Sequence, residues 1–120
     1  MKTVLAFCFL AQVVLGQRFV DGAEQRKRLL VPEEQTQIRL PECKDGIDLK
    51  VKAVVDPQGK VVSVRPEALS SVSLQVPKGI YQRALQQALK LVSVWRYAPM
   101  LVGGKPQALW TRAVVPCKAP

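Results

Sequence analysis

The side chains with the clearest chemistry in this chain are Cys43 and Cys117. In an oxidising compartment, two cysteines that bracket most of a small domain read as a disulfide, and in a reducing one as buried thiols. A zinc site is disfavoured, because the sequence has no histidine and only Cys8 besides this pair. The same lack of histidine removes the commonest general base. The serines of "LSSVS" and "VSV" have no glycine elbow or activating lysine motif beside them. "VGGK" lacks the full spacing of a phosphate loop and the hydroxyl residue that follows its lysine. Asp45 and Asp48 near a strand start read as solvated charges. The expectation is therefore a binding or structural protein, with no catalytic residues, metal or cofactor.

The cysteine reading depends on where the chain resides. Lys2 precedes an apolar run from Val4 to Leu15, interrupted only by Gln12, and Val14 and Gly16 suit a cleavage site before Gln17. A membrane-spanning helix needs roughly 20 apolar residues, so this run is expected to be a signal peptide over 1–16. Export to the periplasm or medium then favours the disulfide. The chain from Gln17 carries 17 Lys and Arg against 9 Asp and Glu, a net charge of +8. Outside the cytoplasm that charge favours solubility or contact with a membrane surface or other polyanion over nucleic acid.

The elements that position these residues show in the hydropathy pattern. Residues 17–42 are polar, with Pro32 and Pro41 as breakers, and read as a lead segment before a domain spanning 43–120. In "GIDLKVKAVVD", Ile47, Leu49, Val51, Ala53 and Val55 alternate with polar residues, which predicts a half-buried strand. "DPQGK" supplies a turn, and "KVVSVR" completes a hairpin before Pro66. Residues 66–79 read as a loop. Tyr81, Ala84, Leu85, Ala88, Leu89, Val92 and Trp95 share one helical face, and Pro99 is expected to end that helix. "GGKP" predicts a second turn and "QALWTRAVVPC" a third strand. The expected fold is α+β, a three-stranded antiparallel sheet covered by one amphipathic helix in the order β-β-α-β.

Three motifs in that order resemble the C-terminal domain of the TonB family. Asp56, Gly59 and Val61 match its D-x-x-G-x-V hairpin; Trp95, Arg96, Tyr97 and Pro99 match its W-[RK]-[FY]-x-P segment; Gly104 and Pro106 match its G-x-P turn. The similarity covers about residues 44–116. It implies a periplasmic domain that binds a short segment of an outer-membrane receptor by adding a strand beside its last strand. Carried over, the peptide-binding edge is Gln107, Leu109, Trp110, Thr111, Arg112, Ala113 and Val115. Energy-transducing members also carry a membrane helix with a histidine and a proline-rich spacer, and "LPEC" stands where the family has its Y-P dipeptide. The resemblance thus implies a binding module linked to TonB-dependent transport that does not itself transduce energy.

The W-R-Y-x-P segment is expected to be mainly a core and turn device, with the Tyr97 hydroxyl in water. Two other functions fit the same sequence. A structural envelope module would pair the same edge with a second copy, and a basic module would bind a polyanion.

Overall fold

A computed structural model describes residues 17–67 and 78–120. The expected signal peptide and most of the expected 66–79 loop lie outside the described residues. In chain order the elements are β1 (Arg18–Val20), α1 (Gly22–Arg26), a 3-10 turn (Glu33–Thr36), β2 (Ile38–Arg39), β3 (Ile47–Val55), β4 (Val61–Pro66), α2 (Lys78–Ser93), β5 (Met100–Val102), β6 (Lys105–Gln107) and β7 (Leu109–Lys118).

The alternating sequence of β3 does what its pattern requires: Ile47, Leu49, Val51, Ala53 and Val55 are buried, while Asp48 and Lys50 face solvent. β3 pairs antiparallel with β4 and with β7, and so lies between them. α2 lies over the inner face of this sheet, burying Tyr81, Ala84, Leu85, Ala88 and Val92 on one stripe. The fold is thus mixed α+β with one main helix. The expected three-stranded sheet is instead five-stranded, because β1 and β2 of the lead segment pair in parallel with the far side of β7. The lead segment also buries Val20, Gln25, Thr36 and Ile38. β5 and β6 form a separate hairpin, with Gly103 and Gly104 at positive φ at its tip, as "GGKP" demands.

The Asp56–Lys60 turn is built as its residues dictate. Asp56 Oδ1 accepts from the amides of Gln58 and Lys60, and Gly59 N–H donates to the Asp56 carbonyl. Gly59 has φ +87°, and a Cβ there would collide with the Tyr97 carbonyl oxygen. That close approach lets Tyr97 N–H donate to the Gly59 carbonyl at 2.9 Å, beside a Lys60–Arg96 bridge. On its other side the same segment meets the lead segment. Leu30 N–H donates to the Arg96 carbonyl at 2.8 Å, and Ala98 N–H to the Arg28 carbonyl at 2.7 Å.

The helix ends at Ser93 rather than at Pro99. The amides of Val94 and Trp95 turn back to the carbonyls of Leu91 and Val92, and the next two residues are committed to these extended bridges.

The Cys43–Cys117 disulfide forms across 74 residues of chain, joining the turn before β3 to the end of β7. Closing a loop of that length stabilises the folded state by about 4 kcal/mol in the chain-entropy model. Replacing both cysteines by serine is expected to lower the unfolding free energy by about that amount, read from denaturant midpoints. Gly59→Ala combines a positive φ with a backbone collision, and is expected to cost about 3 kcal/mol or more in the same assay.

Candidate functional site: the far edge of the last strand

The direction of the β7 amides follows from its neighbours. Glu67 N–H donates to the Lys50 carbonyl, so the even-numbered residues of β3 bond toward β4 and the odd-numbered ones toward β7. The odd residues of β7 then complete that ladder, consistent with Pro116, which has no N–H, standing opposite Asp48. The backbone groups of Trp110, Arg112 and Val114 therefore face the other way, toward the lead segment. This is the edge on which the expected peptide-binding residues lie.

Part of that edge is already occupied. Arg18, Phe19 and Val20 stand in parallel register with Leu109, Trp110 and Thr111, and Ile38 and Arg39 with Cys117 and Lys118. Thr111 Oγ1 donates to the Val20 carbonyl at 2.8 Å. Between the two short strands, α1 passes so close that a Cβ on Gly22 would collide with the Arg112 carbonyl oxygen. Over Arg112–Pro116 neither β1 nor β2 pairs with this side of β7.

A cavity of about 230 Å³ opens in that interval, lined by Gly22, Ala23, Arg26, Trp95, Tyr97, Thr111, Ala113 and Val114. Trp95 and Tyr97 meet edge to face, with ring centroids 6.4 Å apart, and form one wall. The Trp95 indole N–H reaches the Gln35 carbonyl at 3.0 Å, which fixes the 3-10 turn over the ring. Arg26 lies 3.9 Å from Glu33, a loose pair in which Glu33 is largely in solvent and Arg26 partly so.

The sequence-derived residues divide accordingly. Leu109, Trp110, Thr111, Arg112, Ala113 and Val115 belong to β7, with Ala113 and Val115 buried against the core, while Gln107 sits in β6 opposite Met100. Asp56, Gly59 and Val61 belong to the hairpin turn, where Gly59 bonds to Tyr97 and Lys60 bridges Arg96 through the backbone. Gly104 and Pro106 stand on the β5–β6 hairpin, and Arg96 and Pro99 are exposed. Sequence reasoning missed Gly22, Arg26 and Gln35, all in the lead segment. The available signal was its apolar residues, Val20, Leu29, Val31, Ile38 and Leu40, which need something to pack against.

Tyr97 is 4% exposed, so its side chain is largely withdrawn from solvent. Burial pushes its pKa up to about 12, opposed by the nearby Arg26 charge. A folded-state value above the ordinary 10.0 means that its contribution to stability is complete below pH 10 and is lost as pH rises toward 12. Two units correspond to about 3 kcal/mol. Tyr97→Phe is therefore expected to show a shallower loss of stability than the parent chain over that interval, compared by urea unfolding at each pH.

Among the described residues, no three His, Cys, Asp or Glu side chains cluster as metal ligands, and no helix is long and apolar enough to cross a membrane. Comparison with protein-family models, with curated proteins and with solved structures gave no match to this chain.

Proposed function

We propose that the chain is an exported binding module of the TonB C-terminal type, which recognises an extended segment of an envelope protein by strand addition to the far edge of β7. The observation that carries this reading is the parallel pairing of β1 and β2 with that edge: the strand accepts extended segments there, and its own chain supplies them. β1 is a weak occupant. Val20 is its one buried side chain, worth about 1.5–2 kcal/mol when fully buried, while ordering each residue costs about 1–2 kcal/mol. An arriving peptide with a longer run of apolar side chains outcompetes three residues. The cavity beside Val114 gives one such side chain a place to enter. The motif resemblance adds the partner class, a segment of a TonB-dependent receptor or similar envelope protein, and export fits the disulfide.

A second reading has its own observation. β4 is the other edge of the sheet, and β3 is its one strand partner among the described residues. Self-pairing through β4 would make a homodimer and a structural role, visible as a mass that rises with concentration.

The test compares residues 17–120 with the Val20→Asp variant, which buries a charge under β1 and releases it. Receptor-derived envelope peptides are expected to shift β7 amides between Leu109 and Val115, saturably, with at least tenfold tighter binding in the variant. If millimolar peptide leaves those amides unmoved in both forms, strand addition by receptor segments is excluded.

A further inference from the structure

We propose that the open face of the sheet docks on an anionic lipid bilayer. This surface lies opposite α2; it shares Phe19, Trp110, Arg112 and Val114 with the β7 edge, but it uses their side chains where strand addition uses the backbone amides. Its side chains form rows fixed by strand register. Arg65 stands opposite Lys52, and Lys52 opposite Arg112, so three cations lie side by side on β4, β3 and β7 at about 4.8 Å strand spacing. Lys50 is two residues along β3, and Lys118 and Arg39 pair at the far end. Like charges placed directly opposite destabilise a sheet. The acids here are few: Glu67 lies 3.5 Å from Arg112 Nε, and Asp48 is exposed on β3. The excess of positive charge is thus concentrated on one flat surface, and an external anion relieves it.

The neighbouring row is apolar and aromatic. Phe19 and Trp110 are register partners with ring centroids 4.5 Å apart, and Val54 is opposite Trp110 on β3. Phe19 is 47% exposed, Val62 56% and Val114 38%, large values for apolar side chains. Lys52 Nζ sits 4.6 Å from the Trp110 ring centroid, and the Arg112 guanidinium 5.7 Å from that of Phe19. A hollow of about 360 Å³ adjoins the cation row, with Lys52, Val62 and Arg65 in its wall.

These features separate a bilayer from a soluble polyanion. Single-stranded nucleic acid uses open aromatic faces for stacking, and here Lys52 covers Trp110. Exposed Phe and Val side chains gain nothing from a polyelectrolyte in water. At a bilayer surface the cations meet headgroup phosphates, while the aromatic and aliphatic side chains enter the layer just beneath.

The test uses residues 17–120, which contain every core residue described above, and vesicles of phosphatidylcholine with or without phosphatidylglycerol. Partition is expected into the anionic vesicles only, with a blue shift of Trp110 emission in a Trp95→Phe background. Lys52→Gln with Arg65→Gln should weaken partition about 25-fold, at roughly fivefold per cation near an anionic surface. Lys60→Gln with Lys90→Gln removes the same charge away from this face and should weaken it less than threefold. Lys52 is half-buried against Trp110, while Arg65, Lys60 and Lys90 are exposed, and equal melting temperatures check that each double variant is folded. The proposal is overturned if the control pair loses as much as the face pair. It is also overturned if anionic vesicles do not bind the parent chain, or if heparin competes for the face without any Trp110 shift on vesicles.

Discussion

The backbone on either side of Tyr97 holds three parts of the chain in one place. Its amide is bonded to the Gly59 carbonyl in the hairpin turn, while the flanking Arg96 carbonyl and Ala98 amide are bonded to Leu30 and Arg28 of the lead segment. Hairpin, helix exit and lead segment therefore meet at a single extended stretch, and none can shift alone. The aromatic rings add the inner contact, with Trp95 against Tyr97 and its indole N–H on Gln35. A side chain larger than hydrogen at residue 59 would break the first of these contacts, so the glycine is required for packing as well as for its φ.

From that junction the two faces of the sheet diverge in character. The inner face is closed by α2 and by the disulfide end of β7, and its residues are apolar almost throughout. The outer face keeps the polar half of each alternation, and there cations outnumber acids. Alternation alone would satisfy solubility with either sign of charge. The excess of one sign on three adjacent strands is a separate property of the sequence, set by which residue stands opposite which.

The central hairpin and the helix were legible in the sequence because both carry long periodic patterns. Ile47–Val55 alternates for nine residues, and Tyr81–Val92 keeps a helical stripe for three turns. The turns were legible from Asp56, Gly59, Gly103 and Gly104, whose types are dictated by local backbone geometry. The lead segment was not. Strands of three and two residues have no measurable period, and their pairing is fixed by β7, some 80 to 90 residues away. The last strand itself was legible, but the segments that pair with its far side were invisible. The charge row was hidden for the same reason, because Lys52, Arg65 and Arg112 become neighbours only through register.

The disulfide has a consequence for the occupied edge. Cys43 anchors the chain four residues after β2, and Leu40 N–H is bonded to the Lys118 carbonyl, so the lead segment is held at its C-terminal end when β1 lets go. A free β1 then remains a tethered competitor, with an effective local concentration on the order of millimolar. Its reattachment is unimolecular and does not depend on how much protein is present. For an outside strand to take the edge, its concentration relative to its own Kd must exceed that fixed local dose relative to the Kd of β1. That requirement turns a weak three-residue contact into a threshold against casual partners.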